Sequence, residues 1–143
     1  MRALLASILL SIALCPTLLS KAVRTDGWAE SQCLATALHY EARGEALAGR
    51  RAVYDVILHR MGDRGLSACG VIYQRGQFSW SKGKPVMAFD AERRELLRGV
   101  VGHRKILTSE KYLYFYSGEK PKWSYDMKCR RIGKQYFCRI KGE

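Results

Sequence analysis

The pattern of apolar and polar positions divides the chain into a helical body and a strand-like end. From Trp28 to Arg43, Cys33, Leu34, Ala37 and Leu38 recur at helical spacing, with Asp26 placed to cap the helix, Glu30 in its first turn and Gly44 to end it. A second helix starting near Glu45 or Ala46 puts Gly49, Val53, Val56 and Ile57 on one face and stops at Gly62. Asp63 to Leu66 then reads as a loop, and Ser67 caps a short helical turn carrying Cys69, Val71 and Ile72. Gln74 to Pro85 is polar, glycine-rich and aromatic, which argues against a helix and leaves Phe78 and Trp80 on a loop or extended segment. A third helix is expected from Asp90 to Val101, with Leu96, Leu97, Val100 and Val101 on its apolar side and Gly102 as its stop. Tyr112 to Tyr116 alternates as a strand does, with three tyrosines on one side and Leu113 and Phe115 on the other. After a turn at Gly118–Pro121 and then Trp123, Met127 to Arg131 and Gln135 to Ile140 form a closing hairpin. The pattern predicts one mainly helical α+β domain with a small sheet at its C-terminal end.

Two features place this domain outside the cytoplasm. Residues 1–22 have the layout of an export leader: Arg2, an apolar run from Ala3 to Leu14, a break at Pro16, and Ser20-Lys21-Ala22 as a cleavage site. An uncleaved anchor is the alternative, although Pro16 cuts the run short of the roughly 17 to 20 residues a span needs. The domain proper is then 23–143. Cleavage would remove Cys15 and leave Cys33, Cys69, Cys129 and Cys138, an even set that favours two disulfides in an exported protein. Three pairings are possible. The simplest joins Cys129 to Cys138 across the hairpin and Cys33 to Cys69, and the tight C-x2-C spacing of a zinc site is absent. A surplus of 25 Lys plus Arg over 13 Asp plus Glu, net +12, favours an anionic partner: nucleic acid, a membrane surface or a wall polymer.

Glu41 is the residue that best suggests chemistry. It continues the apolar face of the first helix, so it should be at least partly buried, and burial makes a carboxyl hold its proton more tightly. A structural carboxylate paired with Arg43 or another of the many arginines is the competing reading. His39-x-Glu41 resembles the first half of a zinc deaminase motif, but the P-C-x-x-C partner is missing. No serine or cysteine triad and no phosphate-binding loop stands out, so acid/base chemistry by carboxylates is the enzymatic class left. The aromatics of the 74–85 loop, Phe78 and Trp80, are either plugs for a small core or platforms for a ligand.

Tyr40-Glu41-Ala42-Arg43-Gly44-Glu45 with Gly49, Cys69-Gly70-Val71-Ile72-Tyr73-Gln74, and Gln77-Phe78-Ser79-Trp80 together resemble the SleB-type cell-wall hydrolases, the spore-cortex-lytic family. The likeness runs in order from Cys33 to Ile132-Gly133 and Phe137. It implies a lysozyme-like fold related to lytic transglycosylases, and a cleft for the glycan strands of peptidoglycan. It places Glu41 on the catalytic glutamate, Gln77, Phe78 and Trp80 on the cleft-lining motif, and Glu45 on a position that supports a loop by hydrogen bonding. The chain departs from the family pattern at His59, where asparagine is common, and at Leu113-Tyr114-Phe115-Tyr116, in place of a T-H-Y-H-like strand. It departs again at Gln135, where the closing motif carries histidine.

The expectation is therefore an exported, monomeric peptidoglycan glycosidase in which Glu41 protonates the glycosidic oxygen. Phe78, Trp80, Tyr114, Tyr116 and Trp123 would stack on sugars, and no cofactor or metal is required. A lytic transglycosylase is favoured over a hydrolytic muramidase, and a phage or a bacterium could be the source. Positive charge would hold the enzyme at an anionic wall or membrane surface. The rival from another class is a non-catalytic basic module binding wall polymer or nucleic acid through its tyrosines. Export argues against nucleic acid as the partner.

Overall fold

The computed structural model describes residues 27–83, 90–101 and 110–142. The leader, the Asp26 cap and the Gly102 stop lie outside them. α1 (Trp28–Ala42) is capped by Gly27 without a side-chain bond, and Glu30 in its first turn reaches across to α3 (Ala68–Ile72) instead. Its Oε2 accepts hydrogen bonds from the backbone N–H groups of Ala68 and Cys69 at 2.6 and 3.3 Å. Ser67 Oγ accepts from the Gly70 N–H at 3.1 Å, as the sequence predicts, so two side chains satisfy the first turn of α3. A disulfide between Cys33 and Cys69 joins the same two helices.

α2 (Leu47–Arg64) is longer than its pattern suggests, because Gly62 lies inside it and the stop falls at Gly65. Gly65 has φ 62°, and its N–H bonds back to the carbonyl of Met61. Glycine takes that left-handed conformation without steric cost. α4 (Asp90–Leu97) is shorter than expected for the same reason: Gly99 has φ 69°, the chain turns there, and Val101 is exposed instead of joining Leu96 and Val100 in the core. Leu34, Leu38, Val53, Ile57 and Ile72 are fully buried where α1, α2 and α3 meet.

The sheet is antiparallel in the order β1-β3-β2, from β1 (Tyr114–Tyr116), β2 (Met127–Ile132) and β3 (Gln135–Ile140). A two-residue turn at Gly133-Lys134 joins β2 to β3, and Cys129 faces Cys138 across the pair, where a second disulfide forms. Alternation turns Phe115 and Phe137 inward, their rings 5.6 Å apart, and leaves Tyr114, Tyr116 and Tyr136 on the outer face. Tyr112 does not join that face. It precedes β1, is buried against Phe137, and donates its hydroxyl hydrogen to Glu110. Among the described residues, no helix is long and apolar enough to cross a membrane.

Candidate active site

Glu41 stands in the last turn of α1, half-buried, because the face that carries it also carries Leu34 and Leu38 into the core. Trp80 Nε1–H donates to its Oε1 at 2.5 Å. Trp80 is itself locked, 7 % exposed, stacked on Tyr40 at 4.7 Å and with the tilted Phe78 ring 5.5 Å away. The Glu41 carbonyl accepts from Gln135 Nε2 at 2.8 Å, which ties the end of α1 to β3. Burial raises the Glu41 pKa above the ordinary carboxylate value, and the Trp80 hydrogen bond and the Arg60 charge only partly offset it. The pairing with Arg43 does not form. Arg43 Nη1 lies 3.3 Å from His39 Nε2, and His39 Nδ1 lies 2.5 Å from Glu92 of α4.

Arg60, not named in advance among the arginines that could face Glu41, is the cation that acts on it. It occupies the apolar face of α2, one turn beyond Val56 and Ile57, and is 6 % exposed. A charged residue on an apolar stripe is the signal that picked out Glu41, and it could have found Arg60. Its Nε donates to the Leu113 carbonyl at 2.8 Å, and its guanidinium lies 5.4 Å over the Phe78 ring. Burial first, and then the Arg64 charge, push its pKa down to about 10, which leaves it protonated at neutral pH. Beside it, His59 Nδ1 donates to the Tyr112 carbonyl at 2.9 Å, so both residues fasten the approach to β1 onto α2.

A cleft of about 430 Å³ opens in front of Arg60, lined also by Arg64, Gln77, Tyr114, Trp123 and Met127. Gln77, Tyr114 and Trp123 are thus brought together as expected. The Trp123 ring lies 5.8 Å from both Tyr114 and Tyr116, held by a single 3₁₀ turn, Lys122–Ser124. Phe78 and Trp80 do not line this cleft. Both are largely buried, and the remaining edge of Phe78 faces a neighbouring cavity of about 600 Å³ lined also by Tyr73, Arg75, Ser79 and Lys82. Trp80 orients Glu41 through its N–H, and Phe78 lies under the Arg60 guanidinium. Glu41 does not itself line the cleft, and the Arg60 that does acts on it by charge.

Glu45 holds the other side of the motif. Its Oε2 accepts from the Lys134 N–H at 3.0 Å, and Lys134 Nζ donates to the Gly44 carbonyl at 3.3 Å. Two glycines make room for it: a Cβ on Gly49 would lie 2.8 Å from Glu45 Oε2, and one on Gly133 only 2.1 Å away. Gly133 also has φ 62°. Gly133→Ala is therefore expected to destabilise the fold by at least ~1–2 kcal/mol from backbone strain alone. Urea unfolding would measure the loss, and adding Glu45→Ala should recover only the collision part of it.

Other acids are engaged away from Glu41: Asp63 with Lys111 at 2.5 Å and Asp90 with Arg93 at 3.0 Å. Among the described residues, no group of three or more His, Cys, Asp or Glu could hold a metal ion.

A family model described as Cell Wall Hydrolase matches residues 44–138. The crystal structure of the catalytic domain of the Bacillus cereus SleB protein has the same fold, with a TM-score of 0.59 and 24 % identity, over 80 % of this chain and 94 % of that one. No curated protein matches the chain.

Proposed function

Because the chain belongs to the Cell Wall Hydrolase family, we propose that this enzyme cleaves the glycan backbone of peptidoglycan between N-acetylmuramic acid and N-acetylglucosamine, with Glu41 as general acid. One observation carries the reading: a half-buried carboxyl whose proton is held more tightly than usual, oriented by the Trp80 N–H and acted on by Arg60, which lines the aromatic cleft. Glu41 gives its proton to the glycosidic oxygen as the C1–O bond breaks through an oxocarbenium-like transition state. Tyr114, Trp123 and Gln77 are the candidates to hold the strand, with Tyr116 beyond them. Export through residues 1–22 and attraction of the basic surface to an anionic wall would deliver the enzyme to its substrate.

A muramidase needs a second carboxylate near the first. Glu45 is occupied with Lys134, Asp63 and Asp90 are paired elsewhere, and Asp126 is exposed next to the cleft residue Met127, but the charge acting on Glu41 comes from Arg60 and not from any of these acids. This favours a lytic transglycosylase. The Glu41 carboxylate takes the proton of the muramic acid C6 hydroxyl, and that oxygen closes onto C1 without consuming water. Mass spectra of the fragments should show 1,6-anhydro-muramyl ends. Ordinary reducing ends, one water heavier, would return the reading to hydrolysis.

The rate should fall as pH rises through the Glu41 pKa, because only the protonated form is an acid catalyst. Trp80→Phe removes a hydrogen bond that stabilises the carboxylate, and Arg60→Gln removes a favourable charge, so each should move the alkaline limb of kcat/KM to higher pH. A purely structural defect would lower the rate at every pH without moving the limb.

A further inference from the structure

A second groove, of about 730 Å³, adjoins the cleft on the outer face of the sheet and shares Met127 with it. Tyr116 and Tyr136 form its floor, stacked at 5.1 Å with an interplanar angle of 13°, because β1 and β3 pair them directly. Lys120, Lys128 and Lys141 line it, and among the described residues no carboxylate does. Arg131 adds a guanidinium 5.9 Å over Tyr136, its partner across β2 and β3. Two of the lysines have only loose tethers: Lys120 Nζ lies 4.7 Å over the Tyr125 ring, and Lys128 Nζ is 3.8 Å from Glu110. A row of rings runs from Tyr114 through Trp123 and Tyr116 to Tyr136, so the cleft beside Arg60 and the lysine groove form one continuous path.

We infer that this groove is a subsite for the acidic peptide branches of the strand being cut, whose carboxylates would meet Lys120, Lys128 and Lys141 while Tyr116 and Tyr136 carry the apolar parts. The inference rests on the glycan-cleaving reading above. A peptide-free strand offers these cations one lactyl carboxylate per muramic acid, held close to the sugar, whereas each peptide branch carries several carboxylates that reach farther out. The contiguity selects the occupant: a ligand entering from the cleft is tethered to the strand already there. Charge complementarity of this kind sets specificity and encounter rate, and salt screens it.

Binding in the Glu41→Gln background separates this subsite from catalysis. Soluble strands bearing peptide branches should bind about tenfold tighter than amidase-stripped strands of equal length at low ionic strength, the scale of several exposed ion pairs acting together. Lys120→Gln, Lys128→Gln and Lys141→Gln combined should bring the two affinities together. Equal affinity for both strands before the lysines are replaced would overturn the proposal. So would a preference that survives their replacement, or tighter lysine-dependent binding of a phosphate-rich wall polymer. Lysis by the chain with Glu41 intact is scored separately, so failure of the glycosidase reading is distinguishable from failure of the subsite.

Discussion

Glu41→Gln is expected to reduce lysis of purified peptidoglycan by about 10²–10⁴-fold, the range for loss of a general acid, while leaving the fold in place. Glutamine keeps the volume, and its amide oxygen can still accept the Trp80 N–H that now reaches Glu41 at 2.5 Å. The half-buried site also favours a neutral group, since burial is what raises the Glu41 pKa. Circular dichroism and the unfolding midpoint should match the parent protein. Near-parental turnover would remove Glu41 from the chemistry and make Glu45 the next acid to test, despite its bond to Lys134.

The second large effect concerns the disulfides, where the two bridges should differ. Cys33 and Cys69 are 36 residues apart, and their bond fastens α3 to α1. Cys129 and Cys138 are only 9 residues apart, on strands already paired by the sheet. By loop-closure entropy, removing the first should cost about 4 kcal/mol and removing the second about 2.5 kcal/mol. Denaturant unfolding of the Cys33→Ala, Cys69→Ala and Cys129→Ala, Cys138→Ala double variants would measure both. A larger loss from the hairpin bridge would mean that the sheet, not the α1–α3 contact, is the weak point of the domain.

Much of this was legible because the residues concerned obey a local rule. Glu41 was legible as a buried acid because its place on the helix is fixed by Leu34 and Leu38. The hairpin was legible because Gly133-Lys134 separates two strand-like runs. The contact of Trp80 with Glu41 was not, since it spans 39 residues through a loop without periodicity. The choice between Gly62 and Gly65 as the α2 stop was equally hidden. Both are exposed, and neither meets anything that the sequence could reveal. Alternation misplaced Tyr112 because it holds only within a strand, and β1 begins two residues later. Glu45 was recognisable as a supporting acid. Its partner lies 89 residues on in the hairpin turn, so the reason for glycine at 49 and 133 emerged only from the packing.

Function depends on which bond is cut, and the most direct measurement is mass analysis of the soluble fragments released from purified peptidoglycan. The account predicts disaccharide-peptide fragments cut at C1 of muramic acid, released by the parent protein and absent with Glu41→Gln. Intact glycan strands accompanied by free peptides, or release that persists without the Glu41 carboxyl, would contradict it.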